Sequence, residues 1–151
     1  MSINDYLDQG PNFIPKLFDV LLKFMSHPVA HMADIEKAFL MIGISESDRD
    51  MLRLLRLSDP ENLDPENQKV SYFRFTRLVF GLCPSSAILG FIISRHLNSY
   101  KNVYPKLIKL IEDSFYVEDM ISVAVNATSA FGVYRLQRIS WKEISFTQME
   151  L

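Results

Sequence analysis

Three carboxylates stand out in this chain by their setting. Asp34 sits near the end of the mostly apolar run from Val29 to Ile35, and Glu118 and Asp119 lie between the apolar segments Phe115 to Val117 and Ile121 to Val125. Acidic side chains carried by separate rigid elements suit two-metal phosphoryl transfer. Two Mg²⁺ ions about 3.5–4 Å apart need bridging oxygen ligands so that attacking and leaving oxygens are neutralised together. The bland alternative is that all three are solvated, as turn and strand-end acids commonly are. Other chemistries find little support. His27, His31 and His96 lack the spacing of a zinc site. Cys83 is the single cysteine, which rules out an internal disulfide; its apolar neighbours and the absence of a nearby histidine predict a buried structural thiol. The acidic stretch from Asp59 to Asn67 lacks the glycine and terminal glutamate of a calcium loop and reads as solvated.

The elements that must hold these carboxylates follow from periodicity. Phe13, Ile14, Leu17, Phe18, Leu21, Leu22 and Met25 recur at helical spacing, predicting an amphipathic helix over 12–25 that covers one face of the core. His27-Pro28 ends it, and a strand from Val29 to Ile35 delivers Asp34. Ser45 and Asp48 open a short turn, and Met51 to Leu57 fits strand or helix because its leucines alternate poorly, with strand the favoured reading. Asp59-Pro60-Glu61-Asn62 recurs as Asp64-Pro65-Glu66-Asn67, an exposed loop rather than a domain repeat. Val70 to Thr76 is a strand; Phe80-Gly81-Leu82 then leads through Pro84 into a helix reaching about Tyr100, the most buried element expected. Pro105 opens a helix to about Asp113, and a tight hairpin carries both Glu118 and Asp119 at its tip. A last helix runs from about Thr128 to Arg138, and the tail from Ile139 onward shows no clear periodicity.

The chain has 151 residues, 48% hydrophobic and 23% charged, enough to bury one core, and no linker divides it. A net charge of −2 and a pI near 5.9 give no general attraction to nucleic acid, so such contact must come from local basic clusters. The uncharged run from Leu78 to Ser94 is 17 residues long but contains Gly81, Pro84, Ser85 and Ser86, which favours a buried turn and helix over a membrane span. The start MSINDYLDQG has neither the basic opening nor the apolar run of a secretory signal. An intracellular setting is the simpler expectation.

Order and spacing of whole segments add a resemblance. Ala33-Asp34-Ile35-Glu36-Lys37-Ala38-Phe39 resembles the first palm motif of reverse transcriptases, and Phe115-Tyr116-Val117-Glu118-Asp119-Met120 resembles their Y-x-D-D hairpin. Between them, Phe73-Arg74-Phe75-Thr76-Arg77-Leu78-Val79-Phe80-Gly81-Leu82 is similar to the segment before the template-gripping helix. Ser2-Ile3-Asn4-Asp5, Pro15-Lys16-Leu17-Phe18-Asp19-Val20-Leu21-Leu22 and Asp59-Pro60-Glu61-Asn62 resemble elements of the Bel-Pao type of LTR retrotransposon in particular. The resemblance covers residues 1–135, as a partial fingers and palm domain, with 136–151 a divergent tail.

The resemblance implies an α+β fold with a palm-like antiparallel sheet of three or four strands backed by helices, incomplete fingers and no thumb. It implies an RNA-directed DNA polymerase fragment in which Asp34, Glu118 and Asp119 hold two Mg²⁺ ions. Phe39 would lie beneath the incoming deoxyribose, Gly81 would line the template and base pair, and Tyr116 would lie near the primer end. The implied partners are an RNA or DNA template-primer and deoxynucleoside triphosphates, and the implied location is the cytoplasm or a virus-like particle. Arg74 and Arg77 would contact phosphate or remain solvated charges. Two departures qualify the pattern. Glu118 stands where the hairpin's first aspartate is expected, and its extra methylene shifts the carboxylate by about the 1 Å that can cost a hundredfold in rate. Ser85-Ser86 replaces a Ser-Pro pair, with the proline displaced to Pro84. Without fingers and thumb the chain is expected to be inactive alone. The rival expectation is a noncatalytic module that binds a partner, or its own copy, through exposed apolar surface.

Overall fold

A computed structural model describes residues 2–57, 61 and 69–143. Its helices and antiparallel sheets make an α+β fold. Strand β1 (Val29–Asp34) pairs with β5 (Asp119–Ala124), and β5 pairs with the short β4 (Phe115–Tyr116), giving a three-stranded sheet in the order β1-β5-β4. A separate two-stranded ribbon joins β2 (Arg53–Leu57) to β3 (Val70–Arg74), with Arg53 opposite Arg74. The repeated loop expected at 59–67 lies, except for the exposed Glu61, outside the described residues.

Period-two alternation along β5 sets which side chains enter the core. Met120, Ser122 and Ala124 are buried, while Asp119, Ile121 and Val123 are half-buried on the other face. The core gathers Met120 with Ala38, Phe39, Ile42 and Ile44 from the segment after β1 and with Leu78. Helix α2 (Ser85–Tyr100) adds Leu89, Ile92, Ile93 and Leu97, and α3 (Pro105–Glu112) adds Ile108 and Ile111. Proline at the first position of α3 starts it where a missing N–H costs nothing. The uncharged run from Leu78 is thus spent on a turn and α2, and among the described residues no helix is long and apolar enough to cross a membrane.

Three expectations are corrected. The first helix is α1, Leu17–Met25, rather than 12–25, because Pro15 disfavours helical geometry at Ile14, whose N–H instead turns back to the Asn12 side chain at 2.9 Å. Nor does α1 cover the core: none of its residues is buried, and Phe18 and Met25 are 68% and 80% exposed, because α2 and α3 already fill the interior. A hydrogen bond from Lys23 Nζ to the Asp113 carbonyl at 2.9 Å tethers it. The last helix, α4, runs from Ala127 to Glu143, well beyond Arg138. Asn126 caps its start by accepting the Ser129 N–H at 2.8 Å, and Ile139 to Glu143 contain no proline or glycine to stop it.

Residues 7–16 form an extended strap across α2 rather than a helix. Two small residues set its approach. A side chain placed on Gly90 would meet the Phe13 Cβ at 2.8 Å, and one on Gly10, whose φ is +73°, would meet the Ala87 Cβ at 3.0 Å. Helix propensity alone would have Gly90→Ala stabilise by up to about 1 kcal/mol, but overpacking of this kind costs about 1–3 kcal/mol, so the clash wins. In urea unfolding, Gly90→Ala is expected to lower stability, whereas Gly132→Ala in α4, with no atom within 4 Å of the added carbon, is expected to raise it by about 0.5–1 kcal/mol.

Candidate functional site

The register of β1 on β5 places Asp34 directly opposite Asp119, and the register of β4 on β5 places Asp119 opposite Tyr116. Directly opposed residues of an antiparallel sheet project from the same face with Cβ atoms about 4.5–5.5 Å apart. Asp34, Asp119 and Tyr116 therefore form one row across three strands, on the face opposite the buried Met120. Asp34 is exposed and the other two are half-buried, so the row is open to solvent from the β1 side.

Glu118 is the next position along. With Val117 it makes the two-residue loop of the β4–β5 hairpin, and its carbonyl accepts the Ile35 N–H at 3.1 Å, which carries the β1 pairing one step past Asp34. The two acids expected at the hairpin tip are thus divided: Glu118 is in the turn, and Asp119 is the first residue of β5. Val117 has φ +58° and its neighbour does not, the sign pattern of a type II′ turn, whose first central residue is normally glycine. A β-branched residue in that region is strained by about 1–3 kcal/mol and persists only where its surroundings hold it. Val117 packs, partly buried, against the core beside Phe115 and Ala33.

Phe39 and Gly81 form a second group. Phe39 lies in a 3-10 turn five residues beyond Asp34, is 2% exposed, and has its ring centroid 4.3 Å from that of Phe80, a residue 68% exposed. A sugar could reach the Phe39 ring only where Phe80 gives way. Gly81 follows at φ +88°, exposed, with no atom within 4 Å of where a side chain would begin. The two groups share the core that Phe39, Ala33 and Val117 all contact. Tyr116 also lines a cleft of about 560 Å³ between the strap and the start of α2, together with Asn12, Lys16, Cys83, Ser86 and Ala87.

Cys83 is exposed, not buried as its apolar neighbours suggested, because it falls in the turn before α2 and its thiol points to the Asn4 carbonyl at 3.8 Å. Arg74 is engaged by Asp50 at 3.0 Å, and Arg53 by the same carboxylate at 3.1 Å, while Arg77 reaches the Met41 carbonyl at 3.5 Å. Both arginines of the sequence motif therefore have partners within the chain. The guanidiniums of Arg74 and Arg53 hold the Asp50 carboxyl below its ordinary value of 3.8.

Sequence reasoning had no means of finding two participants. Phe80 belongs to the segment from Phe73 to Leu82, but no sequence pattern relates it to Phe39, and valine is among the residues least expected at the positive φ of position 117. Among the described residues no group of three or more His, Cys, Asp or Glu is gathered to hold a metal ion, so the carboxylates brought together are the Asp34 and Asp119 pair, with Glu118 one position on. Two hard oxygen ligands from separate strands fit Mg²⁺, which is usually held by one or two carboxylates together with water and substrate phosphate. No protein-family model matches the chain, and no curated protein matches it either.

Two outcomes follow from the charges alone. Opposed like charges weaken a strand pair, so Asp34→Asn in metal-free, low-salt buffer is expected to raise unfolding stability by roughly a few tenths of a kcal/mol, with the gain shrinking as salt screens the pair. Because the folded pKa of Asp50 lies below its unfolded value, its stabilisation is present above pH 3.8 and is lost as pH falls through the folded pKa. The difference in urea midpoint between the wild type and Asp50→Asn should accordingly be constant near neutrality and close in acid.

Proposed function

We propose that the chain is the palm portion of an RNA-directed DNA polymerase of the Bel-Pao retrotransposon type, with its metal-binding carboxylates on the β1-β5-β4 sheet. The observation that supports this reading is the row of Asp34, Asp119 and Tyr116, which brings together two segments more than eighty residues apart in sequence. In the reaction class concerned, the 3′-oxygen of a primer attacks the α-phosphorus of a deoxynucleoside triphosphate. The new P–O bond forms as the bond to pyrophosphate breaks, and the hydroxyl proton passes to water.

Asp34 and Asp119 would hold Mg²⁺, with Glu118 as a further ligand, and Tyr116 would border the primer end. When bound, the ions neutralise charge building on the phosphate oxygens. The protein's share is positioning: the strands fix the carboxylates before substrate arrives, and fixed ligands cost no reorganisation during reaction. Glu118 in place of aspartate sets the third carboxylate about 1 Å farther out, enough to slow turnover by up to about a hundredfold. Binding is therefore the sounder readout than turnover.

Magnesium-dependent binding of a deoxynucleoside triphosphate, followed by calorimetry, should be measurable for the wild type and weakened by at least about tenfold in Asp34→Asn and in Asp119→Asn, with circular dichroism unchanged. Primer extension, if detected, should rise in Glu118→Asp. Binding that ignores magnesium, or that both asparagine variants retain, would remove the polymerase reading.

A second reading has an observation of its own. The apolar face of α1 and the ribbon residues Leu55 and Tyr72, 66% and 71% exposed, leave much hydrophobic surface uncovered. A self-associating, noncatalytic module would show a concentration-dependent mass in sedimentation and no magnesium-dependent nucleotide binding.

A further inference from the structure

We propose that Asn4 is a positioning residue for the Phe80–Cys83 turn, its side-chain amide clamping the turn's backbone in the one conformation that lays Phe80 on Phe39. What the turn then presents to a nucleotide rests on the polymerase reading; the clamp itself does not.

Both ends of the Asn4 carboxamide are committed to this turn. The Nδ2 group donates to the Gly81 carbonyl at 2.6 Å, and the Oδ1 atom accepts the Cys83 N–H at 3.0 Å. The residues bridged lie 77 and 79 positions away in sequence, so these are tertiary contacts rather than local turn bonds. Asn4 is itself held. It sits inside a 3-10 turn whose cap is reciprocal: the Asn4 N–H reaches Ser2 Oγ at 3.3 Å, and the Ser2 N–H reaches the Asp5 carboxylate at 2.7 Å.

The turn needs such a clamp. Gly81 at φ +88° has no side chain to pack, and Phe80 and Cys83 are exposed. Glycine loses more conformational freedom on ordering than any other residue. The flanks are fixed on their own account, with the Leu78 N–H on the Ile42 carbonyl at 2.9 Å and Ser85 Oγ on the Val79 carbonyl at 2.7 Å. Between those anchors, the Asn4 side chain bonds the backbone at 81 and 83, and the Ser85 N–H bonds the Leu82 carbonyl. The chemistry also selects asparagine. A carboxamide offers a donor and an acceptor side by side, whereas an aspartate at the same place would set a negative oxygen against the Gly81 carbonyl. Once protonated, aspartic acid regains the donor and acceptor pattern of the amide.

Cys83, the only cysteine, is a built-in reporter of the clamp. The test measures the rate at which dipyridyl disulfide, which still reacts with thiols in acid, labels Cys83 in the wild type, Asn4→Ala and Asn4→Asp, alongside magnesium-dependent deoxynucleotide affinity. Asn4→Ala should label severalfold faster than the wild type at every pH. Asn4→Asp should do so near neutrality and return to the wild-type rate below about pH 4, as the carboxyl protonates, a profile that a general loss of packing would not give. Deoxynucleotide affinity should fall by about tenfold or more in Asn4→Ala, which loses both side-chain hydrogen bonds to the turn, with the binding of Mg²⁺ alone unaltered. Labelling rates equal to wild type in both variants, or an Asn4→Asp rate that does not recover in acid, overturn the clamp. Faster, acid-reversible labelling in a protein whose wild type binds no deoxynucleotide upholds the clamp and removes the polymerase reading instead.

Discussion

Everything at the candidate site depends on the register of β1 against β5. Because side chains alternate along a strand, a slip of one residue would turn Asp34 toward the core and bring Ala33 opposite Asp119. The slip is resisted by Met120, Ser122 and Ala124, which are buried and must stay on the helix-covered side. It is resisted again at the hairpin, where the Ile35 N–H finds the Glu118 carbonyl only in the observed alignment. Apolar burial on one face thus fixes acidic chemistry on the other, and the electrostatic cost of opposed carboxylates is carried by packing elsewhere.

The strap makes a second connection of this kind. It follows the 3-10 turn whose Asn4 holds the turn before α2, and it meets α2 itself through the close contact of Phe13 with Gly90. The cleft that Tyr116 enters has the strap as one wall and α2 as the other. The strap's course therefore determines the shape of the space beside the acidic row, although none of its residues carries a group expected to react.

What could be read from the sequence was what local rules decide. The strand before Asp34, α2 entered through Pro84, α3 opened by Pro105 and the hairpin around Glu118 were each marked by alternation, proline placement or turn chemistry, and each lies where expected to within a few residues. The failures came where periodicity was satisfied but tertiary context decided. Phe13 and Ile14 keep helical spacing with α1 and yet belong to an extended strap, because Pro15 comes between them and the helix. The apolar surroundings of Cys83 are neighbours in sequence only; in space it is an exposed turn residue whose thiol meets the Asn4 carbonyl. The candidate row was visible in Asp34, Asp119 and Tyr116, whereas the tilted Phe39–Phe80 ring contact and the Asn4 hydrogen bonds needed coordinates, since no periodicity relates residues so far apart.

The backbone of Val117 ties the hairpin to the interior. A hairpin with glycine, or with asparagine followed by glycine, at its loop can form by itself within microseconds and then recruit its neighbours. One with valine at positive φ begins from an unfavourable local state, and the packing of that side chain on the core offsets it. The β4–β5 turn is accordingly not a self-sufficient unit: its geometry is lent by the interior. Loosening the packing beneath Val117 would therefore also release the backbone that carries Glu118 and starts β5.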